Sequence, residues 1–288
     1  MLRVCLFAVV TVVDSRRVVA VGDVHGDVAA FTRVLTAAQI IDPSTRRWAG
    51  GTTTLVQLGD ILDRGRQEGE CWSLLRSLRQ EAGEAGGEVI TLLGNHEILN
   101  VCGQAANYVH PKAQLAFGPD RTMAFAPGSE LALELSEWPV CVILDRTAYV
   151  HGGLPNGATV EGIEALNRET RRWLRNERPL EGPPPELLPT PSSPLWSRSC
   201  SSPADVEPRE SACEALRQTL GNLGLVRVVV GHTPQDSGVN EACDGAVWRC
   251  DTGMSSWVMG GRCEALEIVD GGAPRVIEAA PEESTLVL

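Results

Sequence analysis

Val18-Val19-Ala20-Val21-Gly22-Asp23-Val24-His25-Gly26-Asp27 is the stretch from which the architecture follows. Its first four residues are apolar and largely β-branched, a run of the kind buried on both faces of a sheet. The run breaks at glycine into a short polar cluster, and the chain then resumes with helical spacing at Val28, Phe31, Val34, Leu35 and Ala38. The order of apolar run and polar cluster returns four times. Thr54 to Leu58 leads into Gly59-Asp60-Ile61-Leu62-Asp63-Arg64-Gly65, and Val89 to Leu93 into Gly94-Asn95-His96-Glu97. Ala148 to Val150 leads into His151-Gly152-Gly153, and Val226 to Val230 into Gly231-His232-Thr233-Pro234. Helical spacing follows the second cluster as well, at Trp72, Leu75 and Leu78. Successive strand, loop and helix units predict an α/β sheet. Ligands of such sheets collect at the carboxyl ends of the strands, where all five clusters fall, so the clusters are expected to converge.

The residue types in these clusters point to two-metal chemistry on a phosphate ester. Asp23 and His25 are two positions apart at a strand end and can leave the same face to chelate one ion. A carboxylate with an imidazole suits manganese, iron or zinc better than calcium or magnesium. Asp60 offers an anionic oxygen that can bridge two ions, and Asn95, His151 and His232 can complete the second. Two divalent ions about 3.5–4 Å apart lower the pKa of a bridging water and clamp both oxygens of an in-line displacement, so that hydrolysis needs no protein nucleophile. His96, next to Asn95, is placed to protonate the leaving oxygen, with Asp63 to hold its ring and keep it cationic. Arg64 supplies a planar fork for phosphate oxygens, and Arg198 in Pro194-Leu195-Trp196-Ser197-Arg198 is the candidate for a second.

The ordered series Gly-Asp-x-His-Gly, Gly-Asp-x-x-Asp-Arg-Gly, Gly-Asn-His-Glu, His-Gly-Gly and Gly-His-Thr-Pro resembles the phosphoprotein phosphatase family of calcineurin-like metallophosphoesterases. Within that family the chain is most like the Shewanella-like protein phosphatases. The cues are Asn95-His96-Glu97-Ile98-Leu99-Asn100 running on to Tyr108-Val109, the Pro-Leu-Trp-x-Arg stretch at Arg198, and Asp251-Thr252-Gly253-Met254-Ser255. The resemblance implies a four-layer α/β fold of α+β type, with a central β-sandwich flanked by helices and metals held by loops at one edge. It also implies that Asp23, His25, Asp60, Asn95, His151 and His232 ligate two divalent ions, manganese first, with iron or zinc as alternatives. His96 would be the general acid, Asp63 its partner, and Arg64, Asn95 and Arg198 would bind the substrate phosphate. Members of the subgroup include phosphatases that prefer phosphotyrosine. The expected activity is therefore hydrolysis of phosphomonoesters on proteins, phosphotyrosine favoured and serine or threonine also accepted. Two rivals stay open: a dinucleoside tetraphosphate hydrolase on the same scaffold, and a non-catalytic metal-binding scaffold.

Other features have plainer readings. Asp27 reads as a helix N-cap, Glu97 as a first-turn acid, His110 as a surface or packing histidine, and Asp251 equally as a turn residue or a support of the site. Cys243 and Arg249 have the spacing of cysteine-dependent tyrosine phosphatases. The intervening Asp244-Gly245-Ala246-Val247-Trp248 reads instead as a hairpin turn entering a strand, which cannot wrap a phosphate. Nine cysteines show no regular framework. Cys71, Cys141 and Cys213 are expected to be buried as small hydrophobes, and Cys243 with Cys250 to bridge in an oxidising compartment.

With 288 residues and 43% hydrophobic content, one domain over residues 17–288 is expected, carrying inserts at 100–140 and 179–205. A net charge of −12 disfavours nucleic acid or an anionic membrane as a partner, so the positive charge that would hold the phosphate of a phosphorylated protein must be local, in metals and two arginines. No stretch is long enough to span a bilayer. Residues 1–16 are an extra apolar segment: Arg3 with Val4 to Val13 fits a signal-peptide core, and Val9 to Val21 equally fits two strands around Asp14 to Arg17. Cytosolic and secretory-pathway locations both remain open, and oligomeric state is not legible.

Overall fold

The computed structural model describes residues 17–177 and 182–280. The expected apolar segment at 1–16 and residues 179–181 of the second insert lie outside them. Two mixed sheets of five strands form the centre. The first contains β1 (Arg17–Val21), β2 (Thr54–Gln57), β3 (Glu88–Thr91), β9 (Glu264–Val269) and β10 (Arg275–Glu278), in the order β10-β9-β1-β2-β3. The second contains β4 (Cys141–Leu144), β5 (Thr147–Val150), β6 (Arg227–Val230), β7 (Asn240–Ala242) and β8 (Val247–Arg249), in the order β4-β5-β6-β8-β7. β1, β2 and β3 run parallel, as do β5, β6 and β8, so their carboxyl ends face the same way within each sheet.

The period-two alternation of each strand decides what it touches. Val18 and Ala20 of β1 point into a core shared with Val56, Tyr149, Val229 and Leu266, which is the space between the sheets. Val19 and Val21 point the other way, onto helices α1 (Val28–Ala37) and α2 (Glu68–Ala85) through Phe31, Val34, Leu75 and Leu78. On the outer face of the second sheet, Ala148, Val150, Val228 and Val230 pack on Leu216 and Leu220 of α7 (Glu210–Leu223) and Ile163 of α6 (Val160–Leu174). Helix, sheet, sheet and helix thus form the four layers that the motif series implied. Each fully buried Leu, Ile, Val or Phe in these layers contributes about 1.5–3 kcal/mol.

The first insert folds as α3 (Asn95–Val101), a 3-10 turn (Pro111–Ala113), α4 (Arg121–Phe125) and α5 (Glu130–Leu135), with Phe125 and Leu135 fully buried in the first helical layer. In the second, Pro194 accepts from the amides of Gly152 and Gly153 at 2.7 and 3.2 Å, which returns the chain to the His-Gly-Gly loop. The arginines of α6 pair with Glu137, Glu169 and Glu177 on a solvated face.

The cysteine expectation needs correcting. Cys243 bridges Cys213 of α7, and Cys250 is a free, buried thiol. The reason is register: Cys243 leaves the β7–β8 turn toward α7, whereas Cys250 follows β8 into the space between the sheets. The bridged Cys243 offers no thiolate. Arg249 is buried on Asn240 Oδ1 and the carbonyls of Val206 and Glu241, so that pair is structural. Among the described residues no helix is long and apolar enough to cross a membrane.

Candidate active site

Five strand ends deliver the polar clusters to one place. Asp23 and His25 follow β1, Asp60 and Asp63 follow β2, and Asn95 and His96 open α3 just beyond β3. From the second sheet, His151 follows β5 and His232 follows β6. All eight are nearly or fully buried. The ligand atoms of His25, Asp60 and His96 lie within 4.8 Å of one another, and so do those of Asp60, His151 and His232. Asp60 belongs to both groups.

Hydrogen bonds fix how the rings face. His25 Nδ1 lies 2.9 Å from the Leu62 carbonyl and His151 Nδ1 2.8 Å from that of Leu58; a carbonyl only accepts, so both nitrogens carry a proton. Their Nε2 atoms therefore turn inward. His25 Nε2 sits 3.6 Å from Asp60 Oδ2 and 3.9 Å from Asp23 Oδ2. His151 Nε2 sits 3.4 Å from Asp60 Oδ1 and 2.9 Å from Asn95 Oδ1. In a neutral His151 the Nε2 lone pair would oppose the Asn95 oxygen, and a proton or a cation between them, or the Asn95 amide turned to present its NH2, reconciles the two. His232 Nε2 is buried with no hydrogen-bond partner. An orphaned imidazole nitrogen and converging lone pairs around a shared carboxylate are the donor set that two divalent ions require.

The electrostatics agree. Burial pushes His25 down to about 4, and burial with the neighbouring charges of His151 and Arg198 pushes His232 down to about 2, so both rings are neutral and able to ligate. Burial also opposes charge on His151, yet Asp60 and Asp23 hold it up at about 10. Burial, then repulsion from Asp251 and Asp60, raises Asp23 well above the carboxylate range. These buried carboxylates call for positive charge.

His96 is built differently. Its Nδ1 donates to Asp63 Oδ2 at 2.7 Å, its Nε2 lies 3.9 Å from Asp60 Oδ2, and these carboxylates raise its pKa against the opposing effect of burial. Asp63 also accepts from Asn100 Nδ2 at 3.1 Å and from Arg121 Nη2 at 3.2 Å. Arg121 forks onto Glu68 as well, whose carboxylate accepts from the Asp63 amide at 2.9 Å.

The loops bearing these groups are strained. His25, Asp60, Asp63, Arg64 and His232 have φ of 44°, 55°, 67°, 62° and 68°, the left-handed region that costs a non-glycine residue about 1 kcal/mol or more. Glu97 offsets that cost for the Asp60 loop. It is fully buried and accepts from the amides of Gly94, Asp60, Ile61 and Leu62 at 2.8–3.2 Å. Close approach explains two motif glycines: a Cβ on Gly94 would strike the Asp60 carboxylate, and one on Gly231 that of Asp23.

Arg64 and Arg198 are exposed at the mouth. Arg64 lies over the Tyr108 ring, 5.6 Å from its centroid, and Arg198 Nη1 donates to Thr233 Oγ1 at 2.8 Å, beside His232. The structure therefore brings every predicted site residue to one pocket or its rim. Asp27 caps α1 through Ala30 N at 3.0 Å, as its position suggested. Asp251 proves to be a support: it is buried against Asp23 and accepts from Gly253 N at 2.9 Å. Sequence reasoning missed Arg121, Asn100, Glu68 and Gln57, and gave Glu97 too small a part. Gln57, at the end of β2, clamps the glycine turn by donating to Gly22 and Gly59 carbonyls and accepting from Gly59 N. Polarity at the end of an apolar strand was its available signal.

Residues 16–236 match the family model of the calcineurin-like phosphoesterases. The chain belongs to that family. Among relatives of this metallophosphoesterase, Shewanella-like protein phosphatase 2 of Arabidopsis thaliana is 30% identical over 311 residues, covering 92% of this chain and 78% of that protein. Shewanella-like protein phosphatase 1 of Plasmodium berghei is 31% identical, over 83% of this chain and 67% of its own length. The crystal structure of a cold-active protein-tyrosine phosphatase from a psychrophilic Shewanella species superimposes with a TM-score of 0.72 at 25% identity, covering 91% of this chain and 80% of that one.

Proposed function

We propose that this metallophosphoesterase is a protein phosphatase acting on phosphotyrosine first and on phosphoserine and phosphothreonine second. The observation that carries the reading is Asp60 shared between two imidazole groups, with the His96–Asp63 pair beside it. Asp23, His25 and Asp60 would hold one divalent ion and Asp60, Asn95, His151 and His232 the other, manganese being favoured and iron or zinc also suiting the donors. When bound, the two ions supply an activated water and neutralise phosphate charge. His96 lies within the same distance of Asp60 as the ligands do, but its Nδ1 donates to the Asp63 carboxylate, where those of His25 and His151 donate to backbone carbonyls, and that carboxylate suits the ring to carrying a proton. His96 holds a proton on Nε2 and delivers it to the leaving oxygen. Arg64 and Arg198 bind phosphate oxygens at the mouth, with Asn95 reaching them from below.

Two features support an aryl leaving group. The Tyr108 ring stands edge-on to His96 at 5.0 Å, 38% exposed, forming an aromatic wall on the leaving-group side, and one structural neighbour is named a tyrosine phosphatase. The test is the manganese-dependent rate on matched phosphotyrosine, phosphoserine and phosphothreonine peptides, beside diadenosine tetraphosphate. Chelator-sensitive release, fastest from phosphotyrosine, is expected. Hydrolysis of the dinucleotide alone would transfer the chain to the nucleotide hydrolases, and silence on every substrate with two ions bound would make it a scaffold.

A further inference from the structure

The chain carries a net charge of −12, and many of its surface arginines are tied to carboxylates, among them Arg76, Arg168, Arg172, Arg175, Arg217 and Arg275. At the rim of the site the pattern changes. Among the described residues no carboxylate pairs with Arg64 or Arg66. Each guanidinium instead lies over an aromatic face, Arg64 over Tyr108 and Arg66 over Trp257, at 5.6 and 5.4 Å from the centroids. His110, two residues after Tyr108, packs its ring edge-on to Trp257 at 4.8 Å. An arginine stacked on an aromatic ring is held in place while its N–H edges stay free for a planar acceptor.

This rim is fixed to the catalytic floor. Ser255 Oγ donates to the His25 carbonyl at 3.2 Å, and Ser256 donates to Asp27 through both its amide and its hydroxyl, which pins the loop bearing Trp257. Gln67, next to Arg66, donates its amide to the Gly26 carbonyl at 3.0 Å. His96 thus touches Tyr108, two residues along the chain His110 touches Trp257, and Trp257 carries Arg66.

We infer that Arg66, Trp257 and His110 form a docking subsite for a carboxylate side chain lying within a few residues of the phosphorylated residue of a peptide substrate. The inference rests on the protein-phosphatase reading. The phosphate occupies the buried floor, the substrate residue lies along Tyr108, and a neighbouring aspartate or glutamate meets Arg66. A protein of strongly negative net charge repels acidic peptides at long range, so Arg66, beside the phosphate-binding Arg64, recruits them locally.

The test uses two phosphotyrosine peptides differing only in their flanks, aspartate and glutamate in one, asparagine and glutamine in the other. Wild-type protein is expected to show kcat/KM about two- to fivefold higher on the acidic peptide, the size of an exposed ion pair, through KM and fading as salt rises. Arg66→Glu should abolish or invert that ratio. Arg46→Glu, the same charge change on an exposed loop at the far ends of the strands, should preserve it. Equal rates on both peptides in the wild type, or an unchanged ratio in Arg66→Glu, would overturn the subsite while leaving the phosphatase reading intact. Hydrolysis of diadenosine tetraphosphate with neither peptide touched would remove both.

Discussion

The edge of the site built by β1, β2 and β3 and the edge built by β5 and β6 both deliver imidazoles to the same place but are held in different ways. On the first edge the loops after β1 and β2 that carry Asp23, His25 and Asp60, and the start of α3 that carries Asn95 and His96, are clamped from within, by Glu97 through four amides and by Gln57 through the glycine turn. On the second edge His151 and His232 lean on the first. His151 donates to the Leu58 carbonyl and the His232 amide donates to Asp23 Oδ1 at 3.1 Å. The proposed acid His96, its partner Asp63 and the shared carboxylate Asp60 all lie on the clamped edge, whereas the leaning edge supplies the imidazoles of His151 and His232. Groups that must hold a proton or share a charge need tighter positioning than a ligand that a metal itself can draw into place.

That contrast can be broken most forcefully at Asp60. Asp60→Asn should remove ions from both edges and lower the rate on every phosphomonoester by more than about 10³-fold. Retention of two ions per chain by elemental analysis would show that the two groups do not depend on it. Next comes His96→Ala, which should spare metal content. It should lower phosphoserine hydrolysis by about 10²–10⁴-fold and phosphotyrosine hydrolysis far less, because a phenolate with pKa about 10 leaves with little help from a proton. Equal losses on the two substrates would end the general-acid assignment.

The braces then compare the edges directly. Glu97→Gln sets an NH2 group against amide donors and frees the Asp60 loop, so activity and metal affinity should fall together by about 10–100-fold. The smallest effect is expected from Asp251→Asn, after β8 beside the leaning edge, about tenfold or less, since asparagine keeps an oxygen for the Gly253 amide and removes a repulsion on Asp23. Metal titrations of the two variants decide the matter: an Asp251 variant hurt as badly as the Glu97 variant would erase the distinction between clamped and leaning edges.

Much of this was open to reading because the chemistry is local. A buried strand declares itself by apolar runs, and the residue after its last turn of pleat sits at the ligand-binding end, so Asp23, Asp60, His151 and His232 could be placed before their contacts were known. What escaped depends on meetings between distant segments that leave no period in the chain. Arg121 reaches Asp63 and Glu68 from an insert with no motif, and Glu97 looked like an ordinary helix-opening acid because its four amide partners lie mainly on another loop. The Cys213–Cys243 bridge was misjudged for a similar reason. Proximity in sequence favoured Cys250, but side-chain direction out of the β7–β8 turn decided the partner.

The bond from the His232 amide to Asp23 spans 209 residues, and β1, which carries Asp23 into the site, is itself completed by β9 from the chain's far end. A ligand set assembled from such remote pieces is complete only when both sheets are in place. Ion retention would therefore read out the whole fold: a chain holding both ions would have joined β1 to β9 and the loop after β6 to the loop after β1.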